Sequence, residues 1–422
     1  MSESIENSST EQIVDHLFRN EYGKIVSLLV SKYGPSHLTL AEDVVQEAMY
    51  KAMQTWPYKE VPANPAGWIY RVANNQMIDQ LRRLSRQDYT EDSPFDLQEA
   101  SFVSDINPDD VLKDELLKML FACCHPQLNM EYQIILALKV LCGLGVKEIA
   151  ACLLKSEAAV AKSYTRSRQK LIEVNASFEL PPANELKDRL SVVLKVIYLL
   201  FNEGYKPSSG EKILNVDLCI EALRLNKLLL DAEIGNLPET NALEALMYFH
   251  LARSESRMSE GGFIISLEDQ DRSKWDQEMI QTGHYFLNKA VQQPVYSEYH
   301  IQAVISSIHC AAKTFEETNW KEILGLYDAM VLRFPSAVAQ LNRLVPLAQV
   351  EGWEVAMEEL KKIEETGFLS NYYLLYLVKG HLYEAANKKK EALKAYKEGV
   401  DLLDNELEKS YIAMKIQKLS GN

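Results

Sequence analysis

The sequence predicts an all-α protein of two or three domains. Apolar residues recur at helical spacing from about residue 10 to the end, and strand-like alternating runs are nearly absent. At 422 residues the chain is long for a single domain. An acidic stretch with two prolines, from Gln87 to Asp110, and the pair Pro181–Pro182 interrupt the pattern. We therefore expect helical pieces at about 10–86, 110–175 and 183–422.

The composition predicts a globular protein of the reducing cytoplasm. Hydrophobic residues make up 47% of the chain and charged residues 25%, which is ordinary for a protein with real cores. No apolar run is long enough to span a membrane, and the N-terminus is polar and acidic, unlike a secretory signal. Six cysteines without a framework spacing favour a cytoplasmic chain without disulfides.

The charge is distributed unevenly along the chain. The net charge of -15 is unfavourable for nucleic-acid binding, but it hides local patches. Residues 64–86 hold four arginines against one acid, and residues 155–170 hold five basic residues against one acid. Between them, residues 90–115 carry nine acids and a single lysine. Two basic islands are thus separated by an acidic stretch.

Residues 41–56 predict a strongly amphipathic helix. At about 100° per residue, the apolar residues share one face; they are Ala41, Val44, Val45, Ala48, Met49, Ala52 and Trp56. The opposite arc carries Asp43, Gln46, Glu47, Tyr50 and Gln54. Taken alone, this set of polar residues is also typical of the solvated face of a packed helix.

A basic helix is predicted from Asn64 to about Arg86. Asn64 followed by proline supplies a capping side chain and a favourable first turn. The polar residues near one arc of this helix are Arg71, Asn74, Asn75, Asp79, Arg82 and Arg83. Arginine binds phosphate bidentately and asparagine can read base edges, while Trp68 and Tyr70 lie where an unpaired base could stack. The alternative is a structural helix whose terminal arginines only interact favourably with the negative C-terminal end of the helix dipole.

Residues 146–171 predict a helix-turn-helix. A short helix over Val146–Leu153 and a polar turn around Lys155 and Ser156 precede a longer helix that begins near Glu157. One face of the longer helix carries Val160, Tyr164, Ser167 and Leu171, and the other carries Lys162, Arg166, Gln169 and Lys170. A basic second helix suits the DNA major groove. The turn lacks the usual glycine, so an ordinary helical hairpin is the alternative.

Taken together, residues 10–175 resemble the extracytoplasmic-function sigma factors of bacterial RNA polymerase. AEDVVQEAMYKAMQ at 41–54 looks like the polymerase-binding helix of that family. NPAGWIYRVANNQMIDQLRR at 64–83 looks like its promoter-melting and −10 reading segment, and GLGVKEIAACLLKSEAAVAKSYTRSRQKL at 143–171 looks like its −35 reading helix-turn-helix. Three motifs in this order are far more specific than any one alone.

The resemblance implies a domain order, partners and residue roles. It implies sigma region 2 at 10–86, an acidic linker at 87–109 and sigma region 4 at 110–175, in a factor that binds RNA polymerase core and directs promoter-specific initiation. At the polymerase we expect Asp43, Gln46, Glu47, Tyr50 and Gln54. At the −10 element we expect Trp68, Arg71, Asn74, Asn75, Arg82, Arg83 and Arg86. At the −35 element we expect Lys155, Ser156, Ala159, Lys162, Ser163, Arg166, Arg168 and Lys170. Arg168 lies toward the buried side of its helix, so its assignment rests on the resemblance more than on geometry.

Essentially the whole chain resembles a long subgroup of these sigma factors with a C-terminal, tetratricopeptide-like extension. The segments that carry this likeness are FACCHPQL at 121–128, YLLFNEGY at 198–205 and LEDQDRSKWD at 267–276. It implies a helical extension at 183–300 and repeats at 301–422. It also implies a sigma factor that no small membrane anti-sigma protein controls.

A degenerate repeat is visible within 301–422. Ile323, Ala356 and Ala392 are 33 and 36 residues apart, and each is followed four residues later by Tyr327, Leu360 or Tyr396. The last unit fits best, with Tyr376, Gly380, Tyr383, Ala392, Tyr396 and Gly399. Such repeats stack into a solenoid whose concave face binds peptide or protein segments, so a peptide or protein regulator is an expected partner. The alternative is that the repeats only cap and rigidify neighbouring helices.

We predict no catalytic, metal or cofactor site, and hence no enzyme. Glu268–Asp276 is rich in carboxylates that could bind a metal or exchange protons, but a buried ion-pair and capping cluster explains them better. Cys123, Cys124 and His125, with Cys142 and Cys152 downstream, suggest zinc, yet adjacent helical residues point about 100° apart. Buried thiols are therefore the better interpretation. Glycine-rich phosphate loops, zinc-protease motifs and nucleophile elbows are absent from the sequence.

Two alternatives to a sigma factor remain at this point. The first is a helix-turn-helix activator with a repeat-based sensing domain, which would bind duplex DNA but no polymerase core. The helices at 41–56 and 71–86 argue against it, because such an activator needs neither. The second is an enzyme with its site around Glu268–Asp276 and a regulatory helix-turn-helix.

Overall fold

The described residues are predominantly α-helical, with one pair of two-residue strands, which confirms the predicted fold class. A computed structural model describes residues 17, 21–59, 61–87, 108–174, 176, 178–232, 235–259 and 261–421. Within them, side chains are described except at 85–87, 108–114, 183, 184 and 187. The predicted linker at 87–109 thus lies almost wholly outside the described residues, and so does the side chain of Arg86.

The described residues form two compact units. The first runs to Leu200 and also includes Asp217–Leu228; the second consists of Phe201–Val216 and the residues from Leu229 onward. The helices before the boundary are α1 (21–33), α2 (Leu38–Thr55), α3 (Pro65–Gln87), α4 (Pro108–Cys123), α5 (Met130–Val140), α6 (Val146–Leu153) and α7 (Glu157–Glu173). Two helices contribute to both units, namely α8 (Ala183–Tyr205) and α9 (Val216–Asp231).

The core of α1–α3 follows from the amphipathic pattern. The predicted apolar face of α2, from Ala41 to Trp56, is fully buried, which confirms that prediction. Helix α2 packs on α3, which buries Ile69, Ala73 and Met77 at helical spacing. The predicted start of α3 is also confirmed, because the backbone N–H of Gly67 donates to Asn64 Oδ1 at 2.8 Å.

The first unit extends past the helix-turn-helix, because α8 and α9 cover its cysteines. Burial raises the pKa of the Cys124 thiol, and the charge of Arg189 of α8 lowers it. Burial also raises the pKa of the Cys142 thiol; in α9, the charge of Glu221 raises it further and that of Arg224 lowers it. Both thiols and that of Cys123 are fully buried, as the sequence predicts. Burial raises the pKa of Cys124 to about 12, so this thiol stays protonated at neutral pH.

Gly23 brings α1 into backbone contact with the end of α5. A Cβ atom at position 23 would lie 2.1 Å from the carbonyl oxygen of Leu141, so only glycine permits this approach. Ser27 Oγ, one turn along α1, donates to the Gly23 carbonyl at 2.6 Å. The segment that precedes the helix-turn-helix is therefore seated directly on α1.

Gly23→Ala should destabilise the first unit by about 1–3 kcal/mol, because the obstacle is backbone that must shift as a whole. Urea unfolding of the full chain would measure this loss. Gly325→Ala is the matched control, since it lies in a helix and its Cβ would meet no atom within 4 Å. That change should be neutral or stabilise by about 0.5–1 kcal/mol. Equal effects of the two changes would show that the Gly23–Leu141 approach is not required.

The second unit is a succession of helices that pack on their chain neighbours. They are α10 (Pro238–Leu251), α11 (Gln277–Ala290), α12 (Glu298–Ala311), α13 (Trp320–Arg333), α14 (Ala337–Glu351), α15 (Trp353–Glu365), α16 (Tyr373–Ala385), α17 (Lys389–Val400) and α18 (Glu406–Ser420). Repeat positions such as Ala356, Leu360 and Ala392 are buried. Gly380 of α16 faces the ring of Tyr396 of α17 so closely that a Cβ would lie 2.4 Å from it.

A short parallel strand pair joins distant parts of the second unit. Strand β1 (Ser209–Gly210) pairs with β2 (Asp404–Asn405). The buried Asn405 side chain donates to the carbonyls of Pro207 at 3.2 Å and Lys212 at 2.8 Å. Its Oδ1 also caps α18 by accepting from Leu407 and Glu408 N–H. One asparagine thus holds a loop and a helix start together.

Candidate nucleic-acid and polymerase interfaces

The polar arc of α2 is open to solvent. All five residues expected at the polymerase are exposed, namely Asp43, Gln46, Glu47, Tyr50 and Gln54. Tyr50 is 60% exposed although it is aromatic, and Glu47 is paired with Lys51 at 3.1 Å. An aromatic ring among acids and amides on a rigid helix can dock a protein surface through one apolar anchor and several hydrogen bonds.

Helix α3 presents its basic residues to solvent. Arg71, Asn75, Arg82 and Arg83 are exposed, while Ile69, Ala73 and Met77 hold the opposite face in the core. Arg86 also belongs to α3, but its side chain lies outside the described residues. The exposed arc can bind phosphates and base edges of a nucleic-acid strand along about three helical turns.

Two other expected −10 residues are engaged within the protein. The Trp68 ring packs edge-on against the buried Trp56 at 5.5 Å between centroids. Asn74 Oδ1 accepts hydrogen bonds from Tyr33 Oη at 2.9 Å and Lys32 Nζ at 3.3 Å. These contacts orient Trp68 and Asn74 on the surface of α3, and they leave the amide nitrogen of Asn74 as its donor to a partner.

The helix-turn-helix forms with the predicted bounds. Helix α6 ends at Leu153, and Leu154 then adopts a left-handed backbone conformation, with φ of 53°, where a glycine is usual. Ser156 caps α7 by accepting a hydrogen bond from the Ala159 N–H at 3.3 Å. The turn therefore keeps its shape without glycine, at the cost of a strained leucine.

Helix α7 has the two faces that its sequence predicts. Val160, Ser167 and Leu171 are buried against α5 and α6, and Tyr164 is half-buried. The exposed residues among those expected at the −35 element are Lys155, Ser156, Ala159, Lys162, Arg166 and Lys170. Lys162, Arg166 and Lys170 lie four residues apart, so they form one basic stripe along the helix. A stripe of this kind fits the major groove.

Two expected −35 residues are held by Glu131 of α5. Lys155 Nζ lies 2.7 Å from Glu131 Oε2, and Ser163 Oγ donates to Glu131 Oε1 at 3.1 Å. The hydrogen bond from Lys155 lowers the pKa of Glu131, so this carboxylate is ionised at neutral pH. Glu131 therefore braces the turn and the first half of α7 before any DNA arrives.

Glu42 is a site residue that the sequence reasoning missed. It is only 3% exposed, and it accepts hydrogen bonds from Tyr164 Oη and from Tyr22 Oη at 3.3 Å. Arg168 Nη1 lies 3.4 Å from its other oxygen. Burial raises the pKa of Glu42, and the hydrogen bonds and Arg168 oppose that shift. The carboxylate thus joins α2 to the buried side of α7.

The sequence does carry a signal for Glu42. It lies four residues after Leu38 and three before Val45, so an acid interrupts the apolar stripe of α2. A buried acid needs partners, and here they are two tyrosines and Arg168, which the pattern of α2 alone cannot name. Arg168, expected at the −35 element, pairs with Glu42, and its side chain is 26% exposed.

Comparison with known proteins matches the two halves of this arrangement to one family. Sigma-70 region 2 matches residues 17–87, which contain α2 and α3, and sigma-70, region 4 matches residues 118–171, which contain the helix-turn-helix. The chain belongs to the sigma-70 family. Members of this family are transcription initiation factors rather than enzymes, so RNA polymerase core and promoter DNA are the partners of this sigma factor.

The likeness continues beyond the two sigma regions. A family of unknown function (DUF6596) matches residues 189–291. An uncharacterized protein of Rhizobium meliloti (strain 1021) is 36% identical over 388 residues, which cover 91% of this sigma factor and 91% of that protein. No solved structure matches the chain.

Two carboxylates of Glu268–Asp276, those of Asp271 and Asp276, serve as helix caps in this sigma factor. Asp276 accepts from the N–H groups of Glu278 and Met279 at the start of α11, both at 2.9 Å. Asp271 accepts from Ser273 N–H at 3.0 Å. The predicted capping role is confirmed, but the prediction of a buried ion-pair cluster is wrong, because the side chains of Glu268, Asp269, Asp271 and Asp276 are exposed. Across the described ranges, no group of three or more His, Cys, Asp or Glu side chains could hold a metal ion, and no helix is long and apolar enough to cross a membrane.

Proposed function

We propose that this sigma factor is of the extracytoplasmic-function type and directs promoter-specific initiation in the cytoplasm through three exposed helix faces. The polar arc of α2 would bind the polymerase clamp, the arginine arc of α3 the −10 strand, and the basic stripe of α7 the −35 duplex. The observation that carries this assignment is the separation of faces on all three helices. In each, the apolar residues are buried and the residues suited to a partner are mainly exposed.

The residue roles follow from what each face offers. Arg71, Asn75 and Arg82 combine phosphate binding with base-edge donors and acceptors, which a single strand exposes. Lys162 and Arg166 project from a braced helix after a tight turn, as direct readout of a duplex requires. Glu131 and Glu42 support these faces by orienting the turn and α7, and we assign them no contact with DNA.

We assign the C-terminal helices a regulatory role without chemistry. Their tetratricopeptide-like spacing suits peptide binding. A groove of about 650 Å³ between α13, α14 and α15, lined in part by Leu332, Leu344 and Val355, could receive such a segment. Leu332 is 83% exposed there. Regulation requires that the C-terminal helices change the free energy with which the sigma regions bind their partners. Docking of these helices on the sigma regions, or binding of a further protein to them, could supply that change.

Run-off transcription with core RNA polymerase tests the proposal. Core enzyme plus this protein should yield discrete transcripts from genomic fragments, and core enzyme alone should not. A protein that lacks the sigma role but is a helix-turn-helix activator would bind duplex DNA without co-purifying with the core. Failure to bind core, together with failure to bind promoter DNA in its presence, would refute the proposal.

A further inference from the structure

Three arginines of the second unit converge on two aromatic rings. The guanidinium carbons of Arg253 and Arg272 lie 5.1 and 5.2 Å from the ring centroid of Trp275. That of Arg257 lies 4.0 Å from the ring of Tyr205. His250 links the two groups, because its ring contacts Tyr205 at 4.9 Å between centroids and it feels the charges of Arg253 and Arg257. We call these residues, with His309, the arginine cluster.

The arginine cluster has no carboxylate of its own. Among the described residues, none of its three arginines forms an ion pair with an acid. The hydrogen bonds of Arg257 and Arg272 described below are to neutral groups. Arg257 donates to the Tyr205 carbonyl. Arg272 donates to the His309 and Ala312 carbonyls at 2.9 and 3.2 Å and to Thr318 Oγ1 at 3.0 Å. Burial lowers the pKa of Arg272, the charge of Arg253 lowers it further, and Cys310 and the carboxylate of Glu316 oppose both effects. The positive charges of the arginines thus lie close together in a largely buried region, which is energetically unfavourable for the folded protein.

Several polar atoms of the cluster are buried and have no hydrogen-bond partner within the protein. They are Tyr205 Oη, His250 Nδ1, Arg253 Nε, Arg272 Nε, Trp275 Nε1 and His309 Nδ1. Arg272 is 7% exposed, Trp275 2% and His309 9%. Buried donors are rarely left unpaired in folded proteins. Here unpaired polar atoms coincide with positive charge that Glu316 compensates only in part, and an anion would satisfy both.

We infer that the arginine cluster is a binding site for a small molecule bearing a phosphate group. A phosphate dianion supplies several acceptor oxygens and two negative charges, whereas a carboxylate supplies one charge against three arginines. Arg253 and Arg257 are half-buried, so they form the side open to solvent, and the indole and phenol rings hold the guanidinium planes in place. The burial of Arg272 and Trp275 excludes the backbone of duplex DNA as the anion.

The histidines fit this assignment. Burial and the neighbouring arginines lower the pKa of His250 and of His309 to about 3, so both rings are neutral at pH 7. Neutral imidazole can donate or accept, and the site charge therefore comes from the arginines alone. The proposed ligand binds the second unit, whichever promoter the sigma regions read.

Thermal unfolding and calorimetric titration of the full chain test the site. Inorganic phosphate and glycerol phosphate are the probes, and acetate and chloride at equal ionic strength are the controls. At about 100-fold excess over its Kd, phosphate should raise the Tm of the second unit by roughly 5–10 °C. Tighter binding of the ester would identify an organic phosphate as the ligand, and equal binding would identify free phosphate. Acetate should give little or no rise.

Arg253→Gln separates a ligand site from a merely structural cluster. Without phosphate, this variant should unfold at the same or a higher temperature than the wild type, because it removes an unpaired positive charge. With phosphate, its Tm should no longer rise. Arg333→Gln is the matched control, because Arg333 also lies over an aromatic ring, Tyr296 at 5.9 Å, outside the cluster, and it should respond as the wild type does.

Two results would overturn the inference. One is the absence of phosphate binding by the wild type, and the other is undiminished binding by Arg253→Gln. If Arg253→Gln does not fold, Arg253→Lys replaces it, since it keeps the charge but loses the forked geometry. That variant should bind phosphate at least tenfold more weakly, and wild-type affinity would contradict the site.

Discussion

Glu42→Ala should destabilise the first unit by about 2–4 kcal/mol, because it leaves buried hydroxyls and a partly buried guanidinium without their acceptor. The hydroxyls belong to Tyr22 and Tyr164, and the guanidinium to Arg168, whose side chain is 26% exposed. Urea unfolding of the full chain would measure the loss. Glu47→Ala is the matched control on the same helix, since its ion pair with Lys51 is exposed; that change should cost less than about 0.5 kcal/mol.

A double-mutant cycle isolates the link between α2 and α7. If Glu42 and Arg168 act as a pair, Glu42→Ala combined with Arg168→Ala should cost less than the sum of the single changes, by about 0.5–3 kcal/mol. Additive losses would mean that the two helices are held together by their apolar contacts and that the carboxylate contributes independently.

The Glu42 carboxyl also makes the stability of the protein depend on pH. Burial raises the pKa of Glu42 in the folded state above its ordinary value of 4.5. The folded protein therefore holds this proton more tightly than the unfolded chain, and the contribution to stability falls as pH rises from 4.5 through the raised pKa. Glu42→Gln cannot ionise, so its stability should fall less than that of the wild type over this range. Parallel pH profiles would contradict the raised pKa.

Arg166→Ala and Lys162→Ala should each weaken −35 binding in the holoenzyme by about 1–3 kcal/mol if the side chain makes a bidentate or close base contact. That corresponds to about 5–150-fold in affinity, measured on a −35-dependent promoter and on one with a substituted −35 element. Both side chains are exposed and belong to the basic stripe of α7. Arg333→Ala removes an exposed arginine from the second unit and should leave affinity unchanged.

The salt dependence distinguishes a base contact from a phosphate contact. Loss of a phosphate contact alone would weaken binding to all sequences equally and reduce the salt slope by about one. Arg168→Ala should instead reduce stability, because that side chain pairs with Glu42. Unchanged transcription from the −35-dependent promoter in both the Lys162 and Arg166 variants would mean that another helix enters the groove.

Local patterns predicted the helices and their exposed faces. The buried side of α2, the cap at Asn64 and the bounds of α6 and the start of α7 follow from periodicity and capping chemistry, which act within a few residues. The burial of the cysteines also followed, since adjacent thiols on a helix cannot share a metal well. These features depend on neighbours in sequence, so a single sequence carries them.

Contacts between distant residues could not be predicted in the same way. Tyr164 lies on the predicted inner face of α7, but its partner, Glu42, is 122 residues away. Arg272 and Trp275 fall in a segment that looks acidic in sequence, yet two of its carboxylates cap helices while its arginine turns inward to α12. Helical periodicity predicts the face on which a side chain lies, but it does not predict which distant residue contacts that side chain.

The Asn405 junction has a consequence for how the chain folds as it is made. Its bond to the Lys212 carbonyl spans 193 residues, which a ribosome needs roughly 10–40 s to add. The first unit can complete soon after Leu228 is released, while the loop at Pro207–Lys212 must wait for almost the whole of the remaining chain. Such a long-range closure is a late step in folding. A chain terminated before Asp404 would therefore have a complete first unit but lack the strand pair and the Asn405 bonds of the second.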